Sequence, residues 1–443
     1  MIQSTKIDLK INKLVYKGYG LGFHGTKAVF VPGSVPEDVL QVEVVREKSG
    51  VSFARIEKIL SKSPFRVEPV CEAFSRCGGC NWLNIEYSKQ IEWKGKILTE
   101  IFNNYENLKT VSFIPCSDPF NYRNRSYLPL ANETGEPIFG MYAQRSHRVI
   151  PHNACRIQPR IFDQLAQTFL NYVKASKAEI YNEDNHTGNL KYIGFRIDYS
   201  ANEILFIVVT KKRKLPFSKQ LVRVIREKEP RVSGVIQNIN PARTNVILGK
   251  KENILDGKVY LWDRIGKLRI KTYYNAFSQI NSEITLKLYD FILTNIEQET
   301  RVVDAYCGSG SIGLYIARKV KQTIGIDNNA TSIKAAKDNA LENHLDNCFF
   351  LEGSVENELG RIVKSYDINT IIFDPPRKGL TPEIVIIVAR SDITRIIYVS
   401  CDPTTQVRDI GLFCKQGFEL KRIQGFDMFP HTYHIENVAI LER

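Results

Sequence analysis

From about residue 268 onward, short apolar runs alternate with stretches of helical periodicity, and no other feature of this chain constrains its fold as strongly. Val302-Val303-Asp304 opens into a glycine-rich turn and a helix, and Thr323-Ile324-Gly325-Ile326-Asp327 runs into a helix predicted over 330–343. Phe349-Phe350-Leu351 precedes another helical stretch. Ile371-Ile372-Phe373-Asp374 leads to a helix over 382–390, and Ile396-Ile397-Tyr398-Val399 leads to a polar turn. Two further strands are expected near 418–423 and 437–441. Repeated strand–helix units predict an α/β fold with a doubly wound, mostly parallel, Rossmann-like sheet over 268–443. Ligands of such sheets bind outside the carboxyl ends of the strands, so chemistry is to be sought there.

The preceding residues divide in two. Residues 1–62 read as a small OB-like β-barrel: Val29-Phe30-Val31 and Val39-Leu40-Gln41-Val42-Glu43-Val44 are strand-like, and glycines and prolines punctuate them. Pro64 and Pro69 mark a linker. Residues 63–267 mix strand-like runs, such as 204–209, with helices, one of them predicted over 87–105, and form an α+β central domain. Lys211-Lys212-Arg213-Lys214 suits either phosphate contact or a solvated loop.

Charge points to the partner. The net charge is +13, and residues 1–66 alone hold eleven Lys or Arg against six Asp or Glu. A basic small barrel is a common device for binding nucleic acid, with counterion release supplying affinity. No apolar run reaches membrane-spanning length, and Met1-Ile2-Gln3-Ser4-Thr5-Lys6 lacks an apolar signal core, so a cytoplasmic monomer without membrane association is expected.

Asp304-Ala305-Tyr306-Cys307-Gly308-Ser309-Gly310-Ser311-Ile312-Gly313 sits between strand and helix, where glycines let the backbone approach a ligand. Asp327 ends the next strand and can accept from a ribose diol, present in both NAD and S-adenosylmethionine. Asp374-Pro375-Pro376, at a later strand end, favours S-adenosylmethionine, because a dehydrogenase has no use for it.

Cysteine usage is uneven. Cys71-x5-Cys77-Gly78-Gly79-Cys80 places three thiols in one loop, and Cys155 is a fourth candidate on another. Four thiolates suit zinc or a cubane iron–sulfur cluster, and a single C-x2-C pair favours the cluster. The spacing does not fit the radical S-adenosylmethionine signature C-x3-C-x2-C. Cys116, Cys307, Cys348 and Cys414 read as packing residues.

Cys401, in Ser400-Cys401-Asp402-Pro403, lies where a strand gives way to a loop. Pyrimidine C5 is too weak a nucleophile to take a methyl from a sulfonium unaided. Thiolate addition to C6 creates carbanion character at C5, and a base must afterwards remove the C5 proton. Cys401, Asp374 beside the methyl donor and Glu436 can fill these places.

These stretches, together with Phe277-Ser278-Gln279-Ile280-Asn281, Arg377-Lys378-Gly379-Leu380 and His434-Ile435-Glu436, resemble the RNA uracil-C5 methyltransferase family over nearly the whole chain. The resemblance implies Cys401 as nucleophile and Glu436 as proton acceptor. It implies Gln279, Tyr306, Asp327 and Asp374 around S-adenosylmethionine, and Cys71, Cys77, Cys80 and Cys155 around a [4Fe-4S] cluster. Residues 1–62 resemble the TRAM domain, which in this family accompanies ribosomal RNA enzymes. The implied activity is 5-methyluridine formation in large-subunit (23S) ribosomal RNA. The alternatives are the same chemistry on transfer RNA, or an iron–sulfur RNA-binding or chaperone protein with an inactive methyltransferase domain. Two departures stand out: Asp327 where many members carry Glu, and Asn81-Trp82-Leu83-Asn84 where a Gln-rich stretch is usual.

Overall fold

The computed structural model describes residues 5–105, 108, 110–200 and 202–443; residues 1–4, part of the stretch read for a signal core, lie outside the described residues. Strands β1 (Lys6–Val15), β2 (Tyr19–His24), β3 (Lys27–Pro32), β4 (Val39–Lys48) and β5 (Val51–Ser61) close into a barrel of order β1-β2-β3-β5-β4. Alternating side chains fill it, among them Leu9, Ile11, Val31, Leu40 and Val42. At Gly22 the strands approach so closely that a Cβ would lie 2.4 Å from the Lys10 carbonyl oxygen.

Helix α1 (Tyr87–Ile101) and strand β6 (Phe113–Ile114) follow. Next come β7 (Arg125–Glu133), β8 (Glu136–Tyr142), β9 (Val149–Pro151), α2 (Arg160–Ser176), β10 (Leu190–Asp198), β11 (Glu203–Thr210), α3 (Ser218–Lys228), β12 (Val232–Ile239) and β13 (Lys251–Gly257). These strands form one sheet, β13-β12-β11-β10-β7-β8-β9. Phe162, Phe169 and Leu221 of α2 and α3 pack on Phe195 and Phe206. The opposite face packs Leu205 and Ile207 against Leu261 and Tyr274. Burial on both faces explains the unbroken apolar run 204–209. Leu261 belongs to a hairpin of β14 (Tyr260–Ile265) and β15 (Leu268–Tyr273), whose turn contains the 267/268 boundary drawn from the sequence.

The last unit comprises α4 (Ser282–Thr294), β16 (Arg301–Ala305), α5 (Ser311–Ile316), β17 (Gln322–Asp327), α6 (Ala330–Glu342), β18 (Cys348–Glu352), α7 (Val355–Ser365), β19 (Thr370–Phe373), α8 (Pro382–Ala389), β20 (Arg395–Ser400), α9 (Pro403–Cys414), β21 (Glu419–Phe426) and β22 (Glu436–Glu442). Its eight-stranded sheet runs β18-β17-β16-β19-β20-β22-β21-β6. Strands β16 to β20 are mutually parallel, as the strand–helix alternation predicts. The far edge is not. Strand β22 runs antiparallel to β20 and β21, with Ser400 opposite Asn437. That register brings the start of β22 beside the end of β20.

The units share a core. Ile97, Leu98 and Phe102 at α1 and Leu14 and Val35 of the barrel belong to the same apolar cluster as Tyr398, Phe413 and Leu420. Thus α1 and β6, placed with the central domain from sequence, pack on the catalytic sheet. The junction is pinned by Lys94 of α1, whose Nζ lies 2.5 Å from Asp427 Oδ1, both side chains wholly buried. Burial pulls the Lys94 ammonium down from its ordinary range, and Asp427 pulls it back. Removing one partner strands a buried charge. Lys94→Met is expected to lower unfolding stability by about 3–5 kcal/mol, measured by denaturant titration.

Candidate active site

The glycine-rich turn after β16 is shaped by three positive φ angles: Tyr306 at 66°, Gly308 at 54° and Gly310 at 78°. A Cβ on Gly310 would meet the Phe350 ring at 2.7 Å, so the turn needs glycine there. Gly308 faces open space. Its N–H donates to Asp327 Oδ2 at 3.0 Å, and the Asn329 N–H donates to Asp327 Oδ1 at 2.8 Å. Two adjacent turns thus orient one carboxylate at the end of β17. Asp304 beneath the turn accepts from the Gly313 N–H at 2.9 Å, and burial pushes its carboxyl up to about 7.

One cavity of about 790 Å3 opens over these strand ends. Gln279, Tyr306, Asp327, Asp374, Cys401 and Glu436 all line it, so every cofactor and catalytic residue expected from the sequence reaches a common space. Asp374 follows β19, Cys401 follows β20 and Glu436 begins β22. The antiparallel pairing of β20 and β22 juxtaposes the last two, although 35 positions separate them in sequence.

The cavity is electrostatically tense. Burial pushes the Cys401 thiol up to about 11, Glu436 adds to the shift, and Arg377 opposes it by charge and by a hydrogen bond. Burial alone lifts Asp374 to about 7. Glu436 is raised well above the usual carboxylate range by burial and then by Asp374, with Arg377 opposing. His434 is pushed down to about 4 by burial and Arg377, and so is neutral near pH 7. Arg377 is therefore the cation that favours ionisation of both Cys401 and Glu436.

Arg377 and Phe277 stand in motifs that carry the resemblance but have no role implied by it, and Tyr16 carries no signal in sequence. Phe277 is 65% exposed at the cavity mouth. Tyr16, in the β1–β2 turn of the barrel, feels the charges of Asp402, Cys401 and Arg377. Its ring meets Tyr433 edge-on at 6.3 Å. A groove of about 610 Å3 starts there and includes Lys17, Arg145, His147, Arg377 and Asp402. An aromatic and basic groove beside a catalytic mouth suits single-stranded nucleic acid.

Cys71, Cys77, Cys80 and Cys155 line a separate cavity with Phe74, Leu83 and Met141. The Gly79 N–H donates to Cys77 Sγ at 3.3 Å. Burial raises the Cys80 thiol and lifts Cys155 to about 12, against the pull of Arg123. Among the described residues, however, no three His, Cys, Asp or Glu side chains converge on a single metal-ion position. The expected ligand set is a ring of thiols around a cavity, not a closed coordination sphere. His152 and Arg156 line the same cavity beside the four thiols.

The family described as tRNA (Uracil-5-)-methyltransferase matches residues 86–443. An uncharacterised RNA methyltransferase of Halalkalibacterium halodurans is 33% identical over 98% of this chain and 96% of its own length. One from Clostridium tetani is 31% identical over 99% and 96%. The chain belongs to the RNA uracil-5-methyltransferase family. Its methyl donor is S-adenosylmethionine. The Pyrococcus abyssi tRNA (uracil-54, C5)-methyltransferase, solved with S-adenosyl-L-homocysteine, superposes on this methyltransferase with a TM-score of 0.80, 26% identity and coverage of 98% of this chain and 100% of its own. Among the described residues no helix is long and apolar enough to cross a membrane.

With Arg377 opposing the upward shift, alkylation of Cys401 by iodoacetamide is expected to keep accelerating through pH 9 and 10 toward its value of about 11. Arg377→Met is expected to move that curve to higher pH, read by mass spectrometry of the Cys401 peptide. An unmoved curve would remove Arg377 from the site.

Proposed function

We propose that this methyltransferase converts uridine to 5-methyluridine in large-subunit ribosomal RNA, with Cys401 as nucleophile and Glu436 as base. The observation that carries the chemistry is the single cavity shared by Cys401, Asp374 and Glu436. The Cys401 thiolate adds to C6, and the C5–C6 π electrons move toward C5 and O4. Bound S-adenosylmethionine supplies a methyl carbon and a sulfonium charge. Gln279, Tyr306, Asp327 and Asp374 hold it, Asp327 accepting from the ribose diol and Asp374 lining the pocket beside the methyl. C5 forms its bond to the methyl as the carbon–sulfonium bond breaks. Glu436 then takes the C5 proton, the electron pair re-forms C5=C6, and the C6–S bond breaks to restore the thiolate. Arg377 lowers the cost of charge on Cys401 before addition and on Glu436 before proton transfer.

RNA carrying 5-fluorouridine at the target is expected to form a stable adduct with the enzyme, because fluorine cannot leave as a proton. Adduct formation by Cys401→Ala would refute the nucleophile assignment. Glu436→Gln is expected to transfer methyl once and release product at least about a hundredfold more slowly. Normal turnover would exclude Glu436 as base.

The ribosomal target rests on the resemblance of the barrel to a TRAM domain. A second reading, transfer RNA, is favoured by the full-length match to the Pyrococcus abyssi tRNA enzyme. Parallel assays on protein-free 23S fragments and on tRNA transcripts decide between them; methylation of tRNA alone would overturn the ribosomal assignment.

We also assign Cys71, Cys77, Cys80 and Cys155 to a [4Fe-4S] cluster, supported by their shared cavity. Protein purified without oxygen is expected to be brown, with iron and acid-labile sulfide near four per chain. Stoichiometric zinc without iron would refute it.

A further inference from the structure

The segment that delivers Glu436 is held from outside the catalytic sheet. Between β21 and β22 the chain runs Asp427 to Ile435, and much of its hydrogen bonding goes to residues before 125. The Phe429 carbonyl accepts from Lys94 Nζ at 3.1 Å, and the Pro430 carbonyl accepts from the Tyr122 hydroxyl at 3.2 Å. The His431 carbonyl accepts from the N–H groups of both Asn81 and Trp82, each at 3.0 Å, directly after Cys80. The His431 N–H donates to Gln90 Oε1 at 3.0 Å.

Gln90 joins the two sides. Its side-chain amide is 1% exposed. Nε2 donates to the carbonyls of Trp82 at 3.0 Å and Ile85 at 2.8 Å, and lies 3.1 Å from His431 Nδ1. His431 has φ +63°, in the left-handed region that a residue bearing a Cβ adopts at some cost in strain. Its ring stacks on Phe120 at 4.7 Å. The conformation of His431, five residues before Glu436, is thus set by the cysteine-bearing loop and α1.

Cys401 is placed differently. It follows β20, whose Tyr398 carbonyl accepts from Gln406 Nε2 at 2.8 Å within the same strand–helix unit. The cofactor turn belongs to β16 and β17. Neither depends directly on the cysteine loop.

We propose that the loop after Cys80, joined through Gln90 to His431, positions Glu436, so that the cysteine-bearing segment serves proton removal and not methyl transfer. This rests on the reading of Glu436 as base given above. Asn81 and Trp82, where the chain departs from the family's Gln-rich stretch, act through their backbone N–H groups, a task that many side chains permit. Gln90 and His431 are positioning residues; neither lines the cavity shared by Cys401 and Glu436.

The test separates the two halves of the reaction. Gln90→Met keeps bulk and removes the amide. His431→Gly relaxes the segment at a φ that glycine adopts freely, so it remains informative if Gln90→Met does not fold. Each is mixed with S-adenosylmethionine and uridine-containing RNA in excess, and followed from the first turnover into the steady state. The expected result is a burst of S-adenosylhomocysteine within about twofold of the unmodified enzyme, kcat and KM reduced together at least about tenfold so that kcat/KM stays within about twofold, and a denaturation-resistant methylated RNA–protein adduct that accumulates. Combining Gln90→Met with Glu436→Gln is expected to slow release no further than Glu436→Gln alone. A burst slowed as much as turnover, an effect on KM alone, or normal turnover would each overturn the inference. Failure of the unmodified enzyme to methylate uridine in any RNA would instead refute the functional reading, and the control arm shows it.

Discussion

The geometry of the site depends on a lysine with no contact with water. Lys94 and Asp427 come from positions 333 residues apart and meet at 2.5 Å with both side chains fully buried. Such a pair adds little net stability over apolar packing, but it tolerates few alternatives, because any displacement leaves a charge unpaired in a low-dielectric interior. Asp427 also accepts from the Tyr87 hydroxyl at 2.6 Å, which in turn accepts from the Cys116 N–H at 2.9 Å. Helix α1 is thereby locked against the end of β21, and the turn toward Glu436 starts from a fixed point.

From that point the sheet does the remaining placement. A parallel strand and an antiparallel neighbour present opposite ends to the same edge, so the end of β20 and the start of β22 converge. A wholly parallel sheet would send Glu436 to the far edge. Convergence crowds Asp374, Glu436 and Cys401 into one recess, where burial disfavours every negative charge. Arg377 opposes the shift at Cys401 and Glu436.

Much of this was legible in the chain. The strand–helix alternation placed β16 to β20 within a residue or two, because both periodicities are strong there. Cys401, Asp374 and Asp327 stand out in sequence because each ends a strand or begins a turn, a position visible in one dimension, whereas Tyr306 and Gln279 enter only through the resemblance. Glu436 is a candidate base by chemistry, but its placement beside Cys401 rests on the fold and the resemblance, since it comes from antiparallel pairing that no local pattern encodes. Arg377 stood in a quoted motif, yet its task depends on two distant ionisable groups. Tyr16 and Gln90 were invisible for the same reason: the first comes from the barrel, the second from a helix whose polar residue faces inward to bond a distant backbone. The membership of α1 in the catalytic core was likewise hidden, because sequence proximity grouped it with the cysteines.

The central claim is that a thiolate activates uracil C5 and a carboxylate then strips its proton. RNA labelled with tritium at uridine C5 tests it most directly. One tritium is expected in water for each methyl group transferred, with neither event in Cys401→Ala. Methyl transfer without tritium release would place the methyl on another atom and contradict the account.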